Sequence, residues 1–331
     1  MTSKKYVAVR TVQTLFMLWF VMTFLFFLFR LMPGSFTDIM MAQGASPESV
    51  EYFREKWGLN DPLYVQYFRY VINFLQFDIG ESLYFRSSVW GIVSGRILNT
   101  FILIAPGTIV AYLIAVSLGS IMGTNRGSLL ERYGTIPFIA GGMTPEFFTS
   151  ILLIVVFASW LNLFPTSGMI GASKVGSYES VWAMYLSPEF AKHFVLPFTA
   201  VVIRQTLAPL LMMRTSVVEV LGQDFIYYHK MTGIPGIKRL QQIGKHAILP
   251  VMTLFPISMA KALSGLVLIE MVFSWPGIGF TLVEAVMNRD FPVVQFVFFL
   301  AAGFVIVMNF VIDLLYGVVD PRVQLDSDEA V

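Results

Sequence analysis

Residues 98–122 run without one charged side chain, from Leu98 to Met122. A helix crossing the roughly 30 Å hydrocarbon layer needs about 20 mostly apolar residues, so this stretch alone is long enough to span a bilayer. Five more stretches meet the same test: Thr11–Leu31, about Gly134–Leu161, about Phe194–Met213, about Ala247–Phe273 and about Pro292–Val318. Charged residues make up 13% of the chain, against about 25% in an average soluble protein. So few charges cannot cover a soluble surface of this size. A soluble enzyme, a disordered tail and a nucleic-acid binder are excluded, and an all-α polytopic membrane protein with six transmembrane helices is expected. The net charge of +1 implies no attraction to polyanions. The absence of cysteine removes disulfides, thiolate metal sites and thiol catalysis.

The first apolar run follows Lys4, Lys5 and Arg10, as a signal peptide would. It is too long for one and ends on Arg30-Leu-Met-Pro-Gly, so it reads as a retained helix. Basic residues set the orientation. Lys4, Lys5 and Arg10, then Arg126 and Arg132, then Arg214, Lys230, Lys238, Arg239 and Lys245 all fall on one side of six spans. That side is read as cytoplasmic, with both termini on it. The chain then divides into a tail and first helix (1–32), an extracytoplasmic helical insertion (33–97), a five-helix core (98–318) with a cytoplasmic connection (214–246), and a cytoplasmic tail (319–331).

In the insertion, Ser46-Pro47-Glu48 combines a capping hydroxyl, a first-turn proline and an acid at the positive end of a helix dipole. Gly58 ends that helix, and Asp61-Pro62 opens another with Leu63, Tyr67, Val71 and Phe74 at helical spacing. These two helices either brace the spans or dock an extracytoplasmic partner. In the second span Ala111, Ala115, Gly119 and Gly123 form a ridge of small residues for close helix packing. Pro106 and Pro145 predict local kinks. Phe225, Ile226, Ile234 and Leu240 in the 214–246 connection suggest a surface pressed against another protein.

Several blocks in chain order resemble the membrane-spanning permease subunits of ABC importers, in the dipeptide/oligopeptide/nickel branch. They are Arg30-Leu-Met-Pro33-Gly34, Lys56-Trp-Gly58-Leu59-Asn-Asp61-Pro62, Phe77-Asp78-Ile-Gly80, Pro165-Thr-Ser-Gly168 and Glu219-Val-Leu221-Gly-Gln-Asp224. His246-Ala-Ile-Leu249-Pro250, Glu270-Met-Val-Phe273-Ser274-Trp275-Pro276-Gly277, Asp290-Phe-Pro292 and Asp313-Leu-Leu-Tyr316-Gly317 complete the series. The run Tyr227-Tyr228-His229-Lys230-Met231-Thr232 is bulkier than the small, Ala-containing run of that branch. The resemblance implies the type I importer architecture in the plasma (inner) membrane. It implies a second homologous permease subunit as partner, two cytoplasmic ABC ATPases carrying ATP and magnesium, and an extracytoplasmic binding protein that delivers a small peptide or similar solute. A nickel chelate, an opine or an oligosaccharide is the alternative cargo. It also implies ATPase coupling through Asp224, Phe225, Tyr228, His229, Lys230, Gly233, Ile234, Lys238 and Arg239.

This chain holds no G-x-x-x-x-G-K-[ST] phosphate loop, so it is read as no enzyme and as needing no cofactor of its own. His193, His229 and His246 form no metal-ligand spacing. An ion-coupled secondary transporter is the competing function, and it would show inverted repeats, which are not evident. Charges inside spans are costly and point to function. Glu146, about 13 residues into the third span, and Lys261 in the fifth either contact the two ends of a zwitterionic peptide or form a buried pair. Arg204 in the fourth span either lines the pathway or meets a carboxylate on a neighbouring helix. Glu270, with Trp275, Pro276 and Gly277, either braces the outer turn or forms part of an outer gate, and Asp313 reads as structural near the membrane surface.

Overall fold

The structure, a computed structural model, describes residues 4–31, 41, 46–56, 58, 60–82 and 84–319. The Pro33-Gly34 exit of the first helix, Trp57, Leu59 and residues 320–331 lie outside the described residues, as do the side chains of Lys230 and Tyr316. The elements are α1 (Lys4–Leu31), α2 (Pro47–Lys56), α3 (Leu63–Leu75), a two-stranded antiparallel hairpin β1 (Glu81–Ser82) and β2 (Ser87–Ser88), and α4 (Val89–Thr124). There follow α5 (Leu129–Tyr133), α6 (Ile136–Met143), α7 (Glu146–Leu153), a π-helical turn (Ile154–Trp160), α8 (Val181–Tyr185) and α9 (Pro188–Leu221). The chain ends with α10 (Asp224–Met231), α11 (Gly236–Val272), α12 (Ile278–Met287) and α13 (Phe291–Val319).

Among the described residues five helices are long and apolar enough to cross a bilayer: Lys5–Leu31, Val89–Thr124, Pro188–Leu221, Gly236–Ala262 and Phe291–Leu314. The sixth span is the pair Leu129–Met143 and Glu146–Trp160, bent by 107°. The chain is therefore a multi-pass, all-helical membrane protein. The first and fourth spans extend past the bounds read from the sequence, to Lys4–Leu31 and Pro188–Leu221, and three further differences bear on the site. The second span begins at Val89, because Ser94, Arg96 and two glycines dilute the apolar signal before Leu98. The fifth begins at Gly236, so the 214–246 connection consists of the ends of two long helices around α10.

The third difference is the largest. The third span is broken, and Glu146 opens its second half instead of sitting deep inside one helix. Thr144, which precedes Pro145, is extended (φ −72°, ψ 141°), the conformation that a following proline favours over the helical one. Pro106, by contrast, sits inside an unbroken α4.

The remaining helix ends follow local chemistry. Ser187 caps α9 by accepting from the Phe190 amide, with Pro188 and Glu189 in the first turn. Ser128 and Ser180 cap α5 and α8 in the same way. Helix α2 starts at Pro47 and stops before Gly58, whose φ of +58° suits glycine.

The chain divides into two compact units, Met1–Leu98 with Thr281–Val331, and Asn99–Phe280. In the first unit α1 packs along α13, and Arg10 pairs with Asp313 at 3.3 Å. The Tyr6 hydroxyl also donates to the Asp313 carbonyl. In the second unit α9 packs against α6, α7 and α11. The small-residue ridge of α4 faces α9: Ala111 and Ala115 are buried, and a Cβ on Gly119 or Gly123 would lie 2.8 Å from Met213 or 2.7 Å from Val217.

Candidate functional site

Three clusters lie within the Asn99–Phe280 unit. The first is the break in the third span. A helix that ends at Met143 leaves the Gly142 carbonyl without its usual amide partner. Arg204 of α9 supplies the donor, with Nη1 2.7 Å from Gly142 O, and its Nε bonds Glu146 Oε1 at 2.8 Å. One guanidinium thus ties the carboxyl end of α6 to the amino end of α7. The signs suit both helix dipoles, a cation at a C-terminus and an anion at an N-terminus. Gly141 and Gly142 allow the approach, because side chains there would strike Ile203 and Leu207.

Glu146 is mostly buried, whereas the Arg204 side chain is 47% exposed. On α11, Gly265 lies directly against the Glu146 carboxylate, where any Cβ would collide. Lys261 stands one turn earlier on the same helix face and is exposed. The structure thus brings Glu146 together with Arg204 and places Lys261 on a neighbouring helix.

The second cluster is the turn after α11. Glu270 is completely buried. Its Oε1 accepts from Thr100 Oγ1 at 2.7 Å and its Oε2 from the Phe280 amide at 2.8 Å, while its backbone carbonyl accepts from the Trp275 amide. Thr100 Oγ1 in turn accepts from the Ile278 amide at 2.8 Å. Asn99 closes the other side: Nδ2 donates to Pro276 O at 2.6 Å, its carbonyl accepts from Trp275 Nε1 at 3.0 Å, and its Oδ1 accepts from the Tyr185 hydroxyl. Gly277 lies against the Glu270 carboxylate, where a side chain would collide. The Gly168 amide donates to Phe273 O at 2.8 Å, and His193 Nδ1 lies 2.9 Å from Ser167 O, so that nitrogen carries the proton. Glu270 thus ties α11 to Thr100 and to the Phe280 amide.

The third cluster is α10. Ile226 is buried in a core with Tyr112, Met213, Val217, Val220, Ile243, Ala247 and Val251. This differs from the partner-facing surface that the sequence suggests for Ile226. It turns inward because a helix this short needs one deep apolar anchor to hold its orientation. Phe225 is half-buried against the rings of His229 and His246, and Ile234 is half-buried too. Asp224, Tyr227, Tyr228, Met231, Ile237, Lys238 and Leu240 are exposed, and Arg239 is half-exposed.

Gly233 ends α10 with φ +70°, and the Ile234 amide donates to His229 O at 3.1 Å, the bond of a left-handed helix cap. Nothing lies within 4 Å of a Cβ built there, so the constraint at Gly233 is backbone conformation and not space.

Sequence reasoning missed Asn99, Thr100, Tyr185, Gly142 and Gly265. Asn99-Thr100, two polar residues at the head of an otherwise apolar run, were the available signal. Nothing local distinguishes Gly265 from the other glycines, since its role is set by a carboxylate on another helix.

The model of the family described as binding-protein-dependent transport system inner membrane component matches residues 115–325, and the model of that family's N-terminal part matches residues 3–103. The chain is 29% identical over 321 residues to the oligopeptide transport system permease protein AppB of Bacillus subtilis, covering 96% of this chain and 99% of that protein. It is 32% identical over 325 residues to the di/tripeptide transport system permease protein DppB of Pseudomonas aeruginosa, covering 90% and 92%. Against the dipeptide transport system permease protein DppB of Escherichia coli K12 the identity is 30% over 319 residues, covering 89% and 91%.

Proposed function

Because the chain belongs to the family of binding-protein-dependent transport system inner membrane components, the permeases of ABC importers, we propose that it forms half of a peptide-conducting pathway. The other half is a second, homologous permease. Two cytoplasmic ABC ATPases, carrying ATP and magnesium, drive the pair, and an extracytoplasmic binding protein delivers the solute. Peptides are the solute that relatives aligned over nearly their full length are named for. Both termini and α10 then lie on the cytoplasmic side, as the basic residues of the connecting segments favour.

The observation that carries the coupling role is the division of α10 into two faces. Ile226 locks the helix into the core of its unit, while Tyr227, Tyr228 and Met231 project outward. A helix anchored in this way transmits a push from a docked ATPase into α9 and α11. Asp224, Lys238 and Arg239 supply polar contacts around that apolar tip.

The half-exposed Arg204, with Glu146 behind it and Lys261 nearby, faces the pathway in this reading, because a guanidinium facing lipid is expensive. The test is ATP-driven peptide uptake into vesicles that hold this chain, its partner permease and the ATPases. Uptake should require ATP and the binding protein. Gly233→Val should retain assembly and ATP hydrolysis while uptake falls, because a β-branched residue resists positive φ and tilts the tip of α10. Uptake driven by an ion gradient without ATP would overturn the reading.

A further inference from the structure

Helix α3 carries an apolar surface that its own unit leaves exposed among the described residues. At about 100° per residue its side chains fall into three sectors. Tyr67, Tyr70 and Phe74 occupy the first, Tyr64, Phe68, Ile72 and Leu75 the second, and Arg69, Asn73 and Gln76 the third. The first sector is seated on helices of its own unit. Tyr67 shares a hydrogen bond with Thr23 at 2.8 Å and stacks on Phe27, with ring centroids 6.2 Å apart. Tyr70 packs on Phe26 at 5.3 Å, and Phe74 meets Phe299 edge-on at 4.5 Å. In the third sector Arg69 bonds Asp61 at 3.0 Å. The second sector is uncovered: Tyr64 is 67% exposed, Phe68 63%, Ile72 53% and Leu75 72%.

The seated sector fixes the depth of the helix. At about 1.5 Å per residue, Thr23 lies about 12 Å below the end of α1 at Leu31, and Phe299 lies about 12 Å into α13 from Phe291. Both supporting helices therefore give the same level. Counting from the other face, a hydrocarbon layer of about 20 residues that starts beside the Arg10–Asp313 pair ends near Arg30. Thr23, Phe26 and Phe27 lie inside that layer, Thr23 about 10 Å below Arg30, so α3 is seated within the outer third of the layer.

The geometry points to α3 as an interfacial helix whose Tyr64–Phe68–Ile72–Leu75 stripe inserts among the acyl chains of the leaflet at the C-terminal end of α1. The edge made by Arg69, Asn73 and Gln76 faces headgroups and water. A short helix with an apolar face towards lipid and a polar edge towards water is the arrangement that binds in the plane of a membrane. The occupant is phospholipid and not a docking protein, for two reasons. The stripe continues the exposed apolar surface of α1 at Phe20, Phe24, Phe27 and Leu28, and on a spanning helix such a surface meets acyl chains wherever no other helix covers it. It also contains no charged residue and no polar group except the Tyr64 hydroxyl, so it offers acyl chains nothing that must be hydrated. The inference stands on packing within the Met1–Leu98 and Thr281–Val331 unit and does not depend on the solute or the ATPase.

The chain lacks cysteine, so single cysteines are unique probes. Spin labels at Phe68→Cys and Ile72→Cys are read in the full chain reconstituted in phosphatidylethanolamine/phosphatidylglycerol vesicles. Glu48→Cys on α2 serves as the water reference and Phe24→Cys on α1 as the lipid reference. Labels on the stripe should collide freely with oxygen and rarely with a water-soluble nickel chelate, as at Phe24→Cys. An impermeant maleimide should react with them several-fold more slowly than with Glu48→Cys. Free collision with the nickel chelate would place the stripe in water and overturn the inference. Low collision with both reagents would mean that protein covers it, a second copy or a docked partner, and would overturn it equally. Tyr64→Cys, on the same stripe, is read in the same way if either variant fails to insert.

Discussion

Glu270 and Glu146 are acids on the helices of one unit, and each has its carboxylate pressed against a glycine, Gly277 and Gly265 respectively. They differ in what answers the charge. Glu270 is met by a threonine hydroxyl and a backbone amide and has no exposed surface. Glu146 is met by a guanidinium whose side chain is half open. A carboxylate with no exposed surface suits a joint between elements, because it presents nothing for a ligand to reach. A carboxylate paired with a half-open arginine holds a cation ready, with donors left over for something outside the unit. In this chain burial and partner type separate a brace from a candidate contact, which position along the span does not.

The comparison breaks first at Glu270. Replacing it by Ala strands the Thr100 hydroxyl and the Phe280 amide and empties the site, so the folded protein should lose about 3 kcal/mol or more. Thermal unfolding of the purified chain in detergent reads this. Glu270→Gln, which keeps one acceptor, should fall between Ala and the native residue. An Ala variant as stable as the native chain would remove the distinction altogether.

Arg204 sharpens the comparison. Arg204→Gln should leave the fold in place and lower peptide uptake roughly tenfold, the worth of one interaction of about 1.4 kcal/mol. The double change Glu146→Gln with Arg204→Gln decides the reason. If the pair only holds the broken helix together, two neutral amides restore uptake. If Arg204 meets solute, the double variant stays as slow as the single one.

The smallest effect is expected at Asp290, in the turn before α13, where burial raises the carboxyl pKa despite a hydrogen bond from Ser82. A raised folded-state pKa means that the charged form disfavours the fold. Its destabilising contribution is complete above the raised value and disappears as pH falls below the ordinary aspartate range, near 3.9. Asp290→Asn should therefore be as stable as the native chain or slightly more so at neutral pH. The difference between the two should shrink on acidification through that window. A difference that grows on acidification would reverse the assignment.

Much of this was legible in the residues. Long apolar runs located the spans, because a single segment in hydrocarbon must satisfy its own backbone hydrogen bonds, which a helix does. Ser46-Pro47-Glu48 and Gly58 marked the bounds of α2, since caps and positive φ are local chemistry. The broken third span was only half legible. Pro145 signalled a bend, but the guanidinium that takes the Gly142 carbonyl at the break comes from Arg204 on another helix. Likewise Ile226 and Tyr227 are adjacent and both apolar, and only packing against Tyr112, Val217 and Ile243 sends one inward and the other out.

The sequence by itself determined a multi-pass helical membrane protein and, through motifs spread along the chain, its family. Solvent sets those features, since every residue of a span meets the same lipid requirement. The tertiary structure alone decided which charges meet: Glu146 with Arg204, Glu270 with Thr100, Asp313 with Arg10. Ion pairs and braces form between residues far apart in the chain, and their geometry exists only once the helices have packed.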